Sequence, residues 1–317
     1  MKKVLITGAG SYVGENVRKY ILSTSTDFQI DAVDTMGDRW REVDFSLYDV
    51  VFHVAGIAEV NGKKGMEQLY YKVNTDLTVE IAKHAQEHGV KQFIFMSSMI
   101  VYQETQSLKG NIVTPDTLPA PNGVYGDSKL KAEEGLRNLD LNLNLDGNDL
   151  DLNKDDNRDI NNDNKDNGNN INHSRMKICI LRPPMIYGPK SKSNLLRLGR
   201  LGTKVPVFPN WRNKRSMLYI DNLGEFVKQA VVRELEGTFF PQNRELAATV
   251  DIIRFFAEAA GHRIWITRVL NPFVWLGSFV LQPINKMFAD SYYVPEMSEY
   301  GFEYQLVSFE ESLKKMV

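Results

Sequence analysis

Tyr125, Lys129 and Ser98 are the residues whose types and spacing best suit chemistry. Tyr125 and Lys129 lie four positions apart in a segment with helical spacing, so both face one side of the predicted helix. The pKa of a free tyrosine is about 10, and a nearby ammonium lowers it by stabilising the phenolate, which improves acid–base catalysis at neutral pH. Ser98 follows a predicted buried strand and can hydrogen-bond the same substrate oxygen. The three residues predict removal of a proton from an alcohol while its carbon gives up a hydride.

Each of these signals also has an ordinary structural explanation. A Tyr–Lys pair at this spacing occurs by chance on many helices, and a serine at a strand end commonly serves only as a hydrogen-bond partner. The catalytic interpretation therefore depends on a binding site for a hydride acceptor elsewhere in the chain.

A glycine-rich turn between a strand and a helix supplies such a site. Residues 4–6 form a short apolar run that suits a buried parallel strand, and a helical pattern covers residues 12–22. This order presents backbone N–H groups and a helix N-terminus to a pyrophosphate. Gly8 permits the tight turn, and Gly14 lets the helix pack close to the strand. An ordinary strand–helix turn is the alternative.

An acidic residue supports the nucleotide interpretation. Asp34 ends the second predicted strand, about 20 residues past the glycines, as dinucleotide sites require. A carboxylate there accepts hydrogen bonds from ribose hydroxyls and repels a 2′-phosphate, which favours NAD over NADP. Arg39 and Arg41 follow closely and soften that preference.

The composition of the 317-residue chain excludes several classes of partner. The net charge is −2 and no basic stripe with interleaved aromatic residues occurs, so a nucleic-acid partner is not expected. The five histidines are scattered and Cys179 is the only cysteine, so neither a metal site nor an internal disulfide is expected, and a cytoplasmic location is predicted. The chain enters a predicted strand directly, without a long apolar signal region.

Residues 269–288 form an unusually apolar segment. Prolines and polar residues interrupt it, whereas a helix that spans a bilayer needs about 20 nearly uninterrupted apolar residues, so no membrane span is expected. A packed or peripheral helix pair is the expected structure, and contact with a membrane surface is the alternative.

Strand and helix patterns alternate along the chain and predict an α/β fold with a doubly wound parallel sheet. A third strand is expected at residues 43–45. A helix is expected at residues 66–88, with Leu69, Val73, Leu77 and Ile81 on one face.

Residues 138–173 differ in kind from the rest of the chain. They are dominated by Asn, Asp and Leu, and such a segment cannot bury enough apolar surface to offset its ordering entropy. We expect a disordered insertion, without the spacing of a calcium-binding loop. The insertion interrupts a predicted dinucleotide-binding domain at residues 1–182, which a smaller α/β substrate domain follows at residues 183–317.

Short motifs follow one another in a family-specific order. They are residues 7–14 (TGAGSYVG), Asp34, residues 44–45 (DF), residues 53–56 (HVAG), Asn74, residues 97–102 (SSMIVY), residues 125–129 (YGDSK), residues 181–189 (LRPPMIYGP) and residues 215–221 (RSMLYID). Together they resemble the extended short-chain dehydrogenase/reductases, in particular the NAD-dependent nucleotide-sugar epimerase/dehydratase group. The resemblance covers nearly the whole chain apart from the insertion and weakens after about residue 237.

The resemblance implies a Rossmann-type domain that holds NAD and a C-terminal domain that holds a UDP-sugar or a related nucleotide sugar. It implies that Tyr125 is the acid/base, that Ser98 orients the hydroxyl, and that Lys129 tunes the tyrosine and holds the ribose. The residues expected to bind NAD are Gly8, Ser11, Tyr12, Val13, Gly14, Asp34, Asp44, Phe45, Val54, Ala55, Gly56, Asn74 and Pro184. Asn194, Phe208 and Arg215 are expected to bind the substrate. Family members commonly form homodimers through helices that flank the sheet.

Four departures from the family pattern bear on the reaction. Ser11 aligns with the middle glycine of the loop, Ala58 stands where epimerases often carry a lysine, and Met185 replaces an asparagine common in 4-epimerases. Met99 and Ile100 stand where dehydratases carry Asp-Glu, so dehydration fits least. The expected reaction is 4-epimerisation of a UDP-hexose. The alternatives are an NAD(P)H-dependent 4-keto nucleotide-sugar reductase of surface polysaccharide biosynthesis and a catalytically inactive NAD-binding regulator.

Overall fold

The structure, a computed structural model, describes residues 1–58, 65–103, 107–146, 175–191 and 194–317, without the side chains of residues 140–146. The strands are β1 (Lys2–Thr7), β2 (Phe28–Val33), β3 (Val50–His53), β4 (Gln92–Met96), β5 (Asn111–Val113), β6 (Lys177–Leu181), β7 (Met185–Tyr187), β8 (Val207–Pro209), β9 (Met217–Tyr219), β10 (Gly237–Phe239), β11 (Trp265–Thr267) and β12 (Ser291–Tyr293). The helices are α1 (Tyr12–Thr24), α2 (Glu67–Tyr70), α3 (Leu77–Glu87), α4 (Val124–Asp146), α5 (Asn194–Gly202), α6 (Ile220–Val232), α7 (Thr249–Ala259), α8 (Asn271–Ser278), α9 (Gln282–Phe288) and α10 (Phe309–Lys314).

Six parallel strands form the central sheet in the order β10-β6-β4-β3-β1-β2. Because β2 and β3 lie on opposite sides of β1, the winding direction reverses between β1 and β3. Ligands of open α/β sheets bind at such a switch point, in the crevice outside the carboxyl ends of the strands. The topology therefore places a binding crevice beside Thr7 and His53, the last residues of β1 and β3.

Side chains of the inner strands alternate between two hydrophobic cores. Val4 and Ile6 of β1 pack with residues of α1 and α6 on one face, while Leu5 packs with residues of α3 and α4 on the other. Strands β3 and β4 divide their side chains in the same way. Apolar strands covered by helices on both faces are typical of parallel doubly wound sheets, and the predicted fold class is confirmed.

The part of the chain after β6 contributes to more than one layer. Strand β10 pairs with β6 at the edge of the central sheet, and helix α6 packs beside α1. The remaining strands form three short parallel pairs, β7 with β9, β8 with β11, and β5 with β12. The division at residue 182 stays a prediction, and the central sheet takes its edge strand from beyond that position.

The third strand predicted at residues 43–45 is wrong. Residues Phe45–Leu47 form a short 3₁₀ turn, and the Asp44 carboxylate caps it by accepting from the Ser46 amide at 3.0 Å. A local bond from an aspartate to the following backbone competes with strand pairing, which explains the difference.

The helix predicted at residues 66–88 is interrupted, and Leu69 does not share the inward face of Leu77 and Ile81. A π-helical turn over Tyr71–Asp76 separates α2 from α3. The extra residue in this turn rotates the preceding positions, so Leu69 is 41% exposed while Asn74 and Thr78 are fully buried. Ile81 is fully buried and Leu77 packs against the same core, so these two residues share one face as predicted.

Helix α4 extends to Asp146, past the position where the insertion was expected to begin. The predicted disorder of residues 138–146 is therefore wrong for the backbone. The rest of that prediction falls on residues 147–173, outside the described residues.

Candidate active site

The glycine-rich turn brings the end of β1 against the end of β3. Gly8 has φ +115°, and a Cβ atom at this position would lie 2.7 Å from the Ala55 amide nitrogen. A Cβ atom on Gly14 would lie 3.1 Å from side-chain carbons of both Ile6 and Val54, which shows why α1 packs so closely on the sheet. Both positions therefore require glycine for close approach, as the sequence predicts.

The N-terminus of α1 follows directly. Ser11 is its N-cap, and the Ser11 hydroxyl accepts from the Gly14 amide at 3.2 Å. Gly10 stands one residue before the position of the middle glycine in the family motif. Its amide donates to the Glu15 carboxylate at 3.2 Å. Tyr12 places its hydroxyl beside Gly188, and burial together with the Asp221 carboxylate raises the pKa of Tyr12 to about 12.

The acidic residues expected at the adenosine end lie on the surface. Asp34 is exposed just past β2, and its carboxylate accepts from the Met36 amide at 2.9 Å. Hydrogen bonds from Ser46 lower the pKa of Asp44, so this exposed carboxylate is ionised at neutral pH. Phe45 is fully buried against Trp40 and His84, so its side chain belongs to the core rather than to a ligand surface.

Asn74 lies in the π-helical turn and closes the crevice next to β3. Its carboxamide accepts from the Ile57 amide at 2.8 Å and donates to the Ile57 carbonyl at 3.1 Å and to the Ser128 hydroxyl at 3.0 Å. A Cβ atom on Gly56 would lie 3.0 Å from Asn74 Oδ1 and 3.2 Å from Lys129 Nζ. Val54, Ala55 and Gly56 therefore lead into a narrow cradle, where a side chain at position 56 would press against Asn74 and Lys129.

Lys129 is buried at the end of β4 with its ammonium in that cradle. Lys129 Nζ donates to the Met96 carbonyl at 2.8 Å and lies 4.7 Å from the centre of the Phe95 ring. Burial lowers the pKa of Lys129 to about 8, partly offset by the Glu133 carboxylate. With a pKa of about 8, the lysine is mostly protonated at neutral pH, so a cation is held in one place, which suits a group that stabilises a neighbouring phenolate.

Gly126 brings Tyr125 to the turn that follows Ser98. Ser98 is the N-cap of the short turn Met99–Val101, and its hydroxyl accepts from the Ile100 amide at 3.2 Å. A Cβ atom on Gly126 would lie 2.6 Å from the Ile100 carbonyl oxygen, so α4 lies directly against this turn. Ser98 and Tyr125 are both partly exposed, as groups that meet a substrate must be.

A buried charge network behind these residues was not found from the sequence. Glu133 is fully buried, one helical turn past Lys129, and its carboxylate accepts from the Ser97 hydroxyl at 2.5 Å. The Arg182 guanidinium donates to the same carboxylate and also to the Tyr102 hydroxyl at 2.7 Å. The network joins α4 to the ends of β4 and β6. Pro184, two residues after Arg182, is also buried.

His53 is a second buried polar residue that sequence reasoning did not assign. Its ring nitrogens lie 2.8 Å from the Thr7 hydroxyl and 3.0 Å from the Thr78 hydroxyl. Burial lowers the pKa of His53 to about 3, so the ring is neutral and ties β1 and β3 to α3. The only sequence signal for His53 is its position in the HVAG motif at residues 53–56.

The three residues expected to bind substrate have different surroundings. Asn194 is exposed at the start of α5. Phe208 packs in a core, with its ring centre 5.7 Å from that of Phe288. Arg215 donates to the Lys286 carbonyl, has no acidic partner within the described ranges, and burial lowers its pKa. A half-buried guanidinium without a carboxylate is suited to an anionic ligand.

The site fits NAD. The strand–glycine turn–helix unit, the exposed Asp34 and the cradle around Gly56 lie along one edge of the sheet, at its topological switch point. The fold and the site define an NAD-dependent enzyme of the extended short-chain dehydrogenase/reductase type. Among the described residues, no group of His, Cys, Asp and Glu is arranged to hold a metal ion.

Comparison with known proteins identifies the family. Residues 4–146 match the profile of the NAD dependent epimerase/dehydratase family. A UDP-glucose 4-epimerase of Vibrio cholerae is 30% identical over 286 residues, which cover 83% of this chain and 77% of that protein. The chain therefore belongs to the NAD-dependent epimerase/dehydratase family, and its cofactor is NAD.

Two further proteins show the breadth of the likeness. An N-acetyl-alpha-D-glucosaminyl-diphospho-ditrans,octacis-undecaprenol 4-epimerase of Escherichia coli O157:H7 is 25% identical over 242 residues, covering 71% of this chain and 62% of that protein. The structure of UDP-glucuronic acid 4-epimerase from Bacillus cereus with NAD has a TM-score of 0.68 at 18% identity, covering 99% of this chain and 97% of that one. The latter confirms the fold.

Proposed function

We propose that the protein is a nucleotide-sugar 4-epimerase that acts on a UDP-hexose. The observation that carries this proposal is the position of Lys129, buried at the end of β4 in the glycine cradle and on the same helix as Tyr125. A lysine fixed there serves the cofactor ribose and the tyrosine at once. The Vibrio cholerae relative, named a UDP-glucose 4-epimerase, supports the choice of reaction and nucleotide.

The roles of the three residues follow from their chemistry. Ser98 donates a hydrogen bond to the sugar 4-hydroxyl oxygen and holds it beside Tyr125. Tyr125, as the phenolate, accepts the hydroxyl proton while C4 loses a hydride, and it returns that proton after the hydride reaches the other face. The Lys129 ammonium stabilises the phenolate. When bound, NAD would serve as the hydride acceptor.

Arg215 is the residue that we propose for the diphosphate. Its planar guanidinium can donate two parallel hydrogen bonds to phosphate oxygens. No carboxylate among the described residues competes for it, and its bond to the Lys286 carbonyl holds it in place. We propose that Asn194 makes a further polar contact with the substrate. We propose that Phe208 supports the surface on which the nucleotide base packs.

Reduction of a 4-keto nucleotide sugar is the alternative reaction. Met185, in β7, stands where many 4-epimerases carry an asparagine. A reductase performs only the second half of the epimerase cycle and must exchange its cofactor in every turnover. The two reactions therefore differ in whether NAD stays bound.

A lipid-linked diphosphate sugar is the second substrate class to assay. The Escherichia coli relative is named for such a substrate. Arg215 contacts α9 through the Lys286 carbonyl, and α9 belongs to an exposed apolar helix pair. The proposed diphosphate residue thus lies beside a surface compatible with a lipid chain.

The proposal is tested on the protein as purified, without added cofactor. After denaturation, mass spectrometry identifies released NAD, and the native protein is incubated with UDP-hexoses and with a lipid-linked diphosphate sugar. Stoichiometric NAD with formation of the 4-epimer supports epimerisation. An empty site with NADH consumption on a 4-keto sugar supports the reductase, and bound NAD without any turnover supports a regulatory protein.

Replacement of Tyr125 tests the acid/base role. Tyr125→Phe should lower kcat by about 10²- to 10⁴-fold, the usual worth of general acid–base catalysis, with NAD binding retained. Tyr48→Phe is the control, because the Tyr48 hydroxyl bonds to Asp31 on the edge strand β2. Full turnover in Tyr125→Phe would falsify the assignment.

A further inference from the structure

An exposed apolar surface covers the outer side of the α8–α9 hairpin. The α8–α9 surface consists of Val269, Phe273, Trp275, Leu276, Phe279, Val280 and Leu281, with Trp265 of β11 at its margin, and each of these side chains is more than half exposed. At the tip, Val280 is 82% exposed. A contiguous apolar surface of this kind marks an interaction site rather than a scattered set of solvent-exposed residues.

The hairpin is rigidly built into the fold. Val274 and Phe288, on its inner side, are buried in a core that includes Phe208 of β8. A Cβ atom on Gly277 would lie 2.4 Å from Ile284, so the two helices are in close contact, and the Asn285 carboxamide donates to the Ser278 carbonyl at 2.8 Å. The outer side chains are therefore held outward by packing on the inner side.

Basic residues surround the apolar surface. Residues 261–289 contain Arg263, Arg268 and Lys286 and no Asp or Glu, and all three basic side chains are exposed. Residues 194–220, whose strand β8 pairs with β11, contain six Lys and Arg residues and no Asp or Glu, and one of them, Arg212, faces Asp251 of α7. Within the described chain, neither Arg263 nor Arg268 forms an ion pair. Basic residues thus outnumber acidic ones around the apolar surface even when Asp251 and Asp290 are included, although the net charge of the whole chain is −2.

We propose that the α8–α9 surface docks the enzyme onto an anionic lipid bilayer. Trp and Phe at the tip suit the interface between headgroups and acyl chains, and the exposed Lys and Arg residues suit anionic headgroups. No helix in the described ranges is long and apolar enough to cross a membrane, so the hairpin lies in the interface. A second copy of the chain fits less well, because a two-fold interface would bring the same basic surroundings together.

Docking would bring Arg215, the proposed diphosphate residue, close to the membrane. Strand β8 pairs with β11, which carries Trp265, and Arg215 donates to the Lys286 carbonyl in α9. The proposed diphosphate residue thus contacts α9, one of the two helices of the docking hairpin. The docking proposal itself does not depend on the identity of the substrate.

The test is sedimentation of the full-length protein with vesicles. Wild-type protein should bind phosphatidylglycerol-containing vesicles, with a blue shift of the emission of Trp265 and Trp275, and bind pure phosphatidylcholine vesicles much more weakly. Phe279→Glu should reduce the partition coefficient by about tenfold or more, because a carboxylate must then enter the interface. The control is Val232→Glu, which also places a carboxylate at an exposed apolar position, but on α6, away from the α8–α9 surface. This variant should bind vesicles as the wild type does.

The basic residues are tested separately. Arg263→Gln and Arg268→Gln should each weaken binding by about fivefold, and added salt should weaken binding of the wild type. Unchanged thermal unfolding and NAD binding in all variants show that each remains folded. The proposal would be overturned if the wild-type protein binds neither kind of vesicle, or if the Phe279→Glu protein binds vesicles as well as the wild type does. A wild-type dimer that Phe279→Glu converts to monomers without vesicles would overturn it in favour of a self-interface.

Discussion

The two carboxylate oxygens of Glu133 share the single Nε–H of Arg182, at 3.0 Å and 3.2 Å, and Glu133 Oε2 also accepts a hydrogen bond from a terminal guanidinium nitrogen of Arg182 at 2.5 Å. Both side chains are buried. The pair connects the third turn of α4 to the end of β6, and the Ser97 hydroxyl connects it to β4. The helix that carries Tyr125 and Lys129 is thereby fixed against the strand ends that form the crevice.

Breaking this pair should destabilise the protein strongly. Glu133→Gln leaves a buried guanidinium without its counter-charge, which typically costs about 3–5 kcal/mol of unfolding free energy. Glu134→Gln, at the exposed neighbouring position on α4, should change it by less than about 0.5 kcal/mol. Urea unfolding measures both. A Glu133→Gln protein as stable as the wild type would show that the pair does not fix α4.

Gly126 should tolerate no side chain. In Gly126→Ala the new Cβ atom would meet the Ile100 carbonyl at 2.6 Å and Pro121 at 2.9 Å, which forces α4 away from the turn after Ser98. We expect a loss of about 1–3 kcal/mol in unfolding free energy and a lower kcat, because Tyr125 moves relative to Ser98. Gly123→Ala is the matched control, since a Cβ atom there meets nothing within 4 Å. Equal kcat values in the two variants would contradict this account.

Lys129 should make stability depend on pH. The pKa of its buried ammonium is lowered to about 8 from an ordinary value of 10.5, so between these values the unfolded chain binds more protons than the folded one. Stability from this group therefore rises as pH increases from 8 towards 10.5. Relative to Lys129→Met, wild-type protein without NAD should gain about 1.5 kcal/mol between pH 8 and pH 9.5. Denaturation curves at the two pH values test this, and a constant difference between the proteins would show that Lys129 is not desolvated.

Arg215 should govern substrate binding more than chemistry. Arg215→Met removes charged hydrogen bonds to the diphosphate and should raise KM for the nucleotide sugar by about tenfold or more, with a smaller effect on kcat. Arg212→Met is the control, because Arg212 is exposed and faces Asp251 at 3.5 Å. Steady-state kinetics on both variants separate KM from kcat. An Arg215→Met enzyme with the KM of the wild type would place the diphosphate elsewhere.

The sequence by itself determined the local units of this protein. The alternation of apolar strands and amphipathic helices follows from side-chain periodicity, and Gly8 and Gly14 reveal the tight turn because few other residues fit there. The spacing of Tyr125 and Lys129 places both on α4 without any knowledge of the rest of the chain. These features depend on interactions between near neighbours, which a sequence displays directly.

Only the tertiary structure decided how these units meet. The Glu133–Arg182 pair, the approach of Gly126 to Ile100 and the bond from Lys129 to the Met96 carbonyl join residues far apart in the chain, and no periodicity signals them. The short turn at Phe45 and the π-helical turn at Asn74 also arise where local capping and packing override strand or helix periodicity. The same holds for the outer side of the α8–α9 hairpin, because the sequence shows that it is apolar but only packing decides which side faces outward.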